Sequence, residues 1–294
     1  MVRVETEISL FLKARRAALS PEQVGLPSGG GRRRVRGLRR EEVAQLAGVS
    51  VDYYTRIEQG RGGAVSAEVL DVLARALRMS EPERGYLHDL ASQVVRGSGG
   101  ASAAGRFCEP PEAPRPTVRP EVRYLVDAMA EVPALVIGHG LDLLVWNRLA
   151  ERLWPDLAIV PEEDLNLARL LFRYPRAATL HADVETMRRE MVAKLRADSG
   201  RTPDDPRLCR VVMELRRDSA RFRELWEERE VREQPHGVHR MRHPLAGELE
   251  LYFEKLPLRA TPAQTLLTYT AEPGSASEER LRALAATDPA ISDR

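Results

Sequence analysis

Apolar residues recur at helical spacing through the first hundred residues. Ile8, Leu12 and Leu19 predict an amphipathic helix that ends at Ser20-Pro21. The same spacing predicts further helices over 40–47 and 51–59, a fourth that begins after Ser66, and a fifth over 81–95. Gly48 and Gly60 are expected to end the second and third helices, and Ser50 and Ser66 to cap the third and fourth. No strand pattern interrupts them. The N-terminal part is therefore predicted to be all-α.

A mixed pattern follows in the second half of the chain. Short apolar runs predict strands over 134–137 and 143–146, with a helix over 148–154. Helical stripes occupy 180–195, 208–215 and 222–226. Residues 248–253 alternate apolar and polar, as in a half-buried antiparallel strand, and 264–269 predicts a last strand. This part is predicted to be α+β.

One segment separates the two patterns. Residues 96–120 contain four Gly and five Pro, a composition typical of an interdomain linker. A chain of 294 residues suits two domains. The predicted organisation is a helical domain over 1–95, a linker over 96–120, an α+β domain over 121–286 and a tail over 287–294.

Composition indicates a soluble globular protein. The chain is 43% apolar and 30% charged. Its longest uncharged stretch, Ala260 to Ala271, is too short to span a membrane, and Glu5 and Glu7 stand where a signal peptide needs apolar residues. Two cysteines, Cys108 and Cys209, are too few for a disulfide framework. We expect a cytoplasmic protein with no membrane partner.

Positive charge is concentrated in one place. The net charge is only +1, but six arginines fall within nine residues that contain no acid: Arg32, Arg33, Arg34, Arg36, Arg39 and Arg40. Like charges packed this closely favour a neighbouring polyanion such as a phosphate backbone. A solvated basic loop is the alternative.

The helices on either side of Gly48-Val49-Ser50 have the layout of a helix-turn-helix. In that layout Val49, Tyr54 and Ile57 face the core. The outer face, which reads base edges in the major groove, carries Val51, Asp52, Tyr53, Thr55 and Arg56. An ordinary helical hairpin with a polar outer face has the same spacing.

The run from Gly37 to Ala44, through Gly48-Val49-Ser50 to Arg61, resembles the Cro/lambda-repressor type of bacterial DNA-binding domain. Arg40 stands where that pattern usually has Gln, and an Arg there reaches a phosphate or a guanine. The resemblance implies duplex DNA as a partner. The predicted contacts are Arg32, Arg33, Arg34, Arg36, Arg40, Ser50, Val51, Asp52, Tyr53, Thr55, Arg56 and Arg61. Because one such motif reads few base pairs, we expect a homodimer on two half-sites.

A second resemblance covers nearly the whole chain. It is carried by Leu26-Pro27, the segments 33–42, 50–61 and 142–147, Asp204-Asp205-Pro206-Arg207, His243-Pro244 and Gly247-Glu248-Leu249. Together these are similar to MmyB-like transcriptional regulators, which join a Cro-type helix-turn-helix to a PAS-like ligand-binding domain. Two departures lie in the C-terminal domain. Leu165-Asn166 replaces the usual Arg-Asn, and Asp183-Val184 replaces the usual Asp-Trp.

The resemblance implies that the C-terminal domain binds a small apolar effector, fatty-acid-like or otherwise. Candidate ligand residues are Trp146, Asn147, Phe172 and Trp226, because apolar walls with a few polar groups suit a small molecule. Aromatic residues at these spacings also make ordinary core. The alternative is a dimerisation or protein-interaction module that binds no ligand.

Searches for other chemistry are negative. His236, His239 and His243 invite a metal site, but residues four apart on a strand lie about 13 Å apart, and Pro235, Gly237 and Pro244 oppose a helix. His243-Pro244 is better explained as a turn that enters the strand at Glu248. No catalytic or phosphate-loop motif occurs, so we predict no catalytic residues, no metal and no cofactor. An enzyme regulated by a helix-turn-helix is the rival class.

Overall fold

The computed structural model describes residues 4–27, 37–97, 115–261 and 263–286, and it divides them into two compact units. Unit 1 holds the described residues of 1–109 with 196–203 and 226–232. Unit 2 holds those of 110–195, 204–225 and 233–294. The predicted all-α and α+β classes are both confirmed. The predicted domain boundaries stay predictions, and most of the predicted linker lies outside the described residues.

Unit 1 is built on five helices, and their bounds follow the sequence pattern closely. Acidic residues in the first turn of α1 and basic residues in its last turn complement the helix dipole. Ser50 and Ser66 cap α3 and α4 by accepting from the backbone three residues on. The helices are α1 Val4–Ala18, α2 Arg40–Ala47, α3 Val51–Glu58, α4 Ala67–Ala76 and α5 Glu81–Gly97.

The core of unit 1 lies where the apolar faces of these helices meet. Phe11 and Leu12 of α1 are fully buried, and the Phe11 ring meets the edge of the Tyr86 ring at 5.0 Å. Leu38, Val43, Tyr54, Leu73 and Leu87 are buried around them. The later segments of unit 1 also contribute, because Arg196 and Arg229 each donate to Glu7 at 2.6 Å.

Unit 2 contains five antiparallel strands in the order β2-β1-β5-β4-β3. They are β1 Ala134–Ile137, β2 Leu143–Trp146, β3 His236–His243, β4 Gly247–Pro257 and β5 Thr265–Thr270. The helices in the second half of the sequence are α6 Pro120–Ala128, α7 Arg148–Leu153, α8 Leu167–Arg173, α9 Pro175–Thr179, α10 Val184–Arg201, α11 Pro206–Asp218, α12 Ala220–Glu227 and α13 Ala276–Ala286. They belong to unit 2, except that the last residues of α10 and α12 are counted in unit 1.

The sheet has apolar residues on both faces. Val136, Val145 and Leu266 pack with Val122 and Val126 of α6 on one face. In β4, Leu249, Leu251 and Phe253 are buried and alternate with more exposed residues, as the sequence predicts. Within the described residues, no helix is long and apolar enough to cross a membrane. The PAS-like character of this unit stays a prediction.

Candidate functional sites

The turn between α2 and α3 has the geometry that the helix-turn-helix prediction requires. Gly48 adopts a left-handed φ of 68°, a conformation that glycine reaches without strain. Its N–H donates to the carbonyls at the end of α2. The Ser50 Oγ then accepts from the Tyr53 N–H at 3.1 Å and opens α3. The sharp turn between the two helices therefore follows from local sequence.

Helix α3 presents one face to the core and one to solvent. Tyr54 and Ile57 are buried, and Val49 packs against the same core. Of the residues predicted to contact DNA, Val51, Asp52 and Arg56 are exposed, and Tyr53 and Thr55 are half-buried. Ser50 and Arg61, just before and after the helix, are exposed as well. Arg32, Arg33, Arg34 and Arg36 lie outside the described residues.

A buried carboxylate fixes the beginning of α2. Glu58, the last residue of α3, is fully buried and pairs with both Arg16 and Arg40. The Arg16 Nε donates to Glu58 at 2.7 Å, and its Nη1 donates to the Leu38 carbonyl at 2.7 Å. Hydrogen bonding to Glu58 raises the pKa of Arg40 further above its ordinary value. Glu58 thus holds the Arg40 guanidinium through its Nε. The Arg40 side chain is partly exposed, and its terminal nitrogens carry further N–H donors.

The four predicted ligand residues are divided between the units. Trp146, Asn147 and Phe172 belong to unit 2, and Trp226 belongs to unit 1, where the Arg196 guanidinium lies 4.2 Å from its ring centroid. Trp146 is half-buried and donates to Glu151 at 3.2 Å. Phe172 is half-buried, with its ring centroid 5.2 Å from that of Phe222. The structure therefore does not gather all four within one unit.

Asn147 is bonded within the fold. Its Oδ1 accepts from Ala150 N at 2.9 Å, which caps α7, and from Ala134 N at 3.2 Å. Its Nδ2 donates at 2.7 Å to the carbonyls of Met129 and Val132. The side chain ties β1, α7 and the segment after α6 together. This geometry gives Asn147 a structural role.

Two further motifs meet in a second network. The Asp142 carboxylate accepts from Arg207 Nη2 at 2.6 Å and from Asn166 Nδ2 at 2.9 Å. Asn166, which is fully buried, also donates to the Gly140 carbonyl. Asp205 caps α11. Residues far apart in the sequence thus hold the start of β2, α8 and α11 together.

The histidines of β3 serve different purposes. His243 Nδ1 accepts from Ala246 N at 3.0 Å, and its Nε2 lies 2.9 Å from the Arg152 carbonyl, so it supports the predicted turn before Glu248. His239 points to the interior and His236 to solvent. The described residues contain no group of three side chains placed to hold a metal ion.

A polar cluster beneath the sheet of unit 2 was not predicted from the sequence. It consists of His181, Glu190, His239, Lys255 and Tyr269, from five different parts of the chain. The only signal in the sequence was the alternation of His239, Met241 and His243 along β3. That alternation indicates that the three side chains lie on the same side of a strand, but it does not reveal which residues pack against them.

Comparison with protein families decides the identity. Residues 118–284 match the MmyB-like transcription regulator ligand binding domain, more than half of the chain. The chain belongs to the MmyB-like transcription regulator family. Residues 7–87 match a helix-turn-helix domain, and this domain joined to the ligand-binding domain makes the chain a DNA-binding transcription regulator. A search of curated proteins finds no match.

Proposed function

We propose that this MmyB-like regulator binds duplex DNA in a sequence-specific manner, with α3 in the major groove. The observation that supports this most directly is the Gly48 turn, which leaves Asp52 exposed in the first turn of α3 and Arg56 exposed in its last turn. An Arg there can donate to both acceptors on the edge of a guanine. Asp52 accepts from a cytosine amino group or orients Arg56. Val51, Tyr53 and Thr55 complete the reading surface.

Arg40 and the basic segment before it contact the phosphates in this proposal. Glu58 engages the Nε of Arg40, and a guanidinium carries further donors on its terminal nitrogens. Glu58 is therefore a positioning residue that aims Arg40 at a phosphate. Ser50, Arg61, Arg32, Arg33, Arg34 and Arg36 add further phosphate contacts. Such contacts set affinity and register but do not select sequence.

The DNA proposal is tested by selecting binding sites from random duplexes with the full chain. Arg56→Ala is expected to weaken binding to the selected site by about 1–3 kcal/mol and to relax its sequence preference. Arg40→Ala should weaken binding to every sequence alike. The matched control is Arg75→Ala, an exposed arginine on α4. If Arg56→Ala lost the same affinity on all sequences, Arg56 would be a phosphate contact and the reading face would be wrong.

We further propose that the regulator acts as a homodimer in the cytoplasm. A single helix-turn-helix covers only a few base pairs, and two half-sites about 34 Å apart require two copies. Light scattering of the full chain measures the particle mass with and without the selected duplex. A monomer in both conditions would contradict this proposal.

The ligand-binding domain, we propose, senses a small apolar effector and changes the occupancy of DNA. The family match to a ligand-binding domain supports this, as do the aromatic side chains of unit 2. The alternative, a dimerisation or protein-interaction module, needs no ligand. In neither proposal does the chain act as an enzyme or require a cofactor.

Mass spectrometry of the purified full chain, under conditions that preserve complexes, distinguishes these two proposals. A sensor is expected to retain a small molecule or to bind members of a small-molecule library. A folded chain that carries and binds none would support the interaction module instead.

A further inference from the structure

A group of polar side chains, of which His239 and Tyr269 are buried, lies on the inner face of the sheet of unit 2. His239 of β3 is only 8% exposed, and its Nδ1 lies 3.2 Å from the Tyr269 Oη of β5. The centroid of its ring lies 4.3 Å from that of the Phe253 ring and 6.3 Å from that of the His181 ring. Trp154 packs against Tyr269 at 4.9 Å. The polar groups are thus bordered by aromatic surface.

Two imidazole nitrogens in this group lack a hydrogen-bond partner among the described residues. They are Nε2 of His239 and Nδ1 of His181. The carboxylate oxygen of Glu190 lies 4.0 Å from His239 Nε2, which is too far for a hydrogen bond. Buried polar atoms are nearly always bonded, and two such atoms in adjacent rings require an explanation. In a ligand-binding domain, a bound polar group supplies one.

The protonation of the cluster determines what it offers. Burial lowers the pKa of His239 to about 3 and that of His181 to about 4, so both rings are neutral at pH 7. Burial also raises the pKa of Tyr269, which keeps its proton. The Tyr269 hydroxyl can then donate to His239 Nδ1, which leaves the hydrogen of that ring on Nε2. With the hydrogen bond assigned in this direction, the unpartnered Nε2 is a donor that needs an acceptor.

Charges around the cluster limit that acceptor to a neutral group. Glu190 and Lys255 face it from α10 and β4, and Lys194 and Glu233 pair beside it at 3.6 Å. The four charges comprise two of each sign. An ionised carboxylate in this place would face Glu190 as well as Lys255, would make the balanced set net negative, and would bury that excess charge at a cost. A neutral oxygen accepts from an imidazole N–H without that cost.

We propose that His239 and His181 bind the hydroxyl or carbonyl oxygen of an uncharged, otherwise apolar ligand, such as an alcohol, a phenol or a ketone. The proposal rests on the sensor function proposed above and specifies the chemical class of its effector. Phe253 and Trp154 would contact the apolar part of the ligand. Tyr269 is a positioning residue that fixes the tautomer of His239. Neutral ligands should therefore bind better than acids of the same carbon skeleton.

The experiment uses the full chain and matched pairs of probes, aliphatic and aromatic. Each pair is a neutral alcohol or phenol and the carboxylic acid of the same skeleton, and binding is measured by titration calorimetry at pH 7.5. The neutral member is expected to bind at least about tenfold more tightly than the acid, because the acid must bury its charge or take up a proton. His239→Phe should weaken binding of the neutral member about tenfold, the factor that one good hydrogen bond supplies. The matched control, His236→Phe on the exposed side of β3, should leave that affinity unchanged.

The outcomes separate this inference from the sensor proposal. If neutral probes bind His239→Phe as well as the wild type, or if the acids bind more tightly, the inference is wrong and the sensor stands. If no probe binds and none copurifies, both fail. Thermal melting checks that His239→Phe folds. If it does not, Tyr269→Phe decides, because releasing the tautomer should weaken the neutral probes several-fold, and unchanged binding would overturn the inference.

Discussion

Acid should destabilise unit 2 through two histidines, His181 and His239, whose rings are held neutral in the fold. His239 is buried beside Glu190 and Tyr269, and the half-buried His181 packs near its ring. Loss of solvent around the two rings lowers their pKa values from 6.5 to about 4 for His181 and about 3 for His239. An unfolded chain binds protons at these rings near pH 6.5, and the folded chain does not. The free energy of unfolding is therefore unaffected well above pH 6.5 and falls as the pH drops towards 4.

The size of the effect follows from the two pKa values. At pH 5 the unfolded histidine is almost fully protonated and the folded one almost fully neutral. The difference is at most about 2 kcal/mol for each ring and about 4 kcal/mol for both. Both histidines have pKa values at or below about 4 in the folded chain, so the stability lost at pH 5 depends mainly on their pKa in the unfolded chain. Carboxylates whose pKa values are lowered in the fold, such as Asp183 and Glu185, titrate mostly below this range.

Urea unfolding of the full chain at pH 7.5 and at pH 5, followed by tryptophan fluorescence, measures this loss. We compare the wild type with the double variant His181→Gln, His239→Gln. His243 has its pKa lowered by burial too, but it is present in both proteins and cancels in the comparison. His236→Gln, at an exposed position, should keep the full loss. If the double variant loses as much stability as the wild type, the two rings are not buried in neutral form and the reasoning is wrong.

Two further predictions concern stability and DNA affinity. Asn147→Ala removes the cap of α7, the acceptor of the buried Ala134 N–H and the side-chain donor to two carbonyls, so the free energy of unfolding should fall by about 2–4 kcal/mol. Urea unfolding measures this loss, with the exposed Arg148→Ala as the control. An unchanged value would contradict the structural role of Asn147. Replacing Arg32, Arg33 and Arg34 with Gln should flatten the slope of log affinity against log salt by about 0.9 for each phosphate that is no longer neutralised, without changing the preferred sequence. An unchanged slope would mean that these side chains point into solvent.

Local sequence was sufficient to predict much of the fold. The predicted bounds of α2, β1 and β2 agree with the structure, because a glycine stop, an N-cap or a short apolar run marks each end. The inward positions of α3 follow from its helical period. The outer face of α3 was therefore predictable as a surface, although no sequence pattern revealed that Glu58 would hold Arg40.

Elements whose character depends on their neighbours were missed. β3 alternates histidine and methionine with arginine, a pattern without the apolar signal of a strand, and α6, α8, α9 and α13 were not predicted. The sequence predicts Asn147 as one of the few polar groups of an apolar ligand site, but its four bonds join segments that only the fold brings together. Trp226 was grouped with Trp146 by residue type alone. The polar cluster around His239 combines β3, β4, β5 and α10, which no local pattern connects.

The coupling between effector and DNA tests the central claim most directly. The Kd of the full chain for its selected duplex is measured with and without the tightest-binding probe at saturation, and the Kd for that probe is measured with and without duplex. Linkage requires both constants to change by the same factor, typically 5–150-fold for a regulator of this kind. We predict equal factors in this range, and His239→Phe should raise the probe concentration needed for the effect about tenfold while keeping affinity for the duplex. A probe that binds tightly but leaves the Kd for the duplex unchanged would contradict the account.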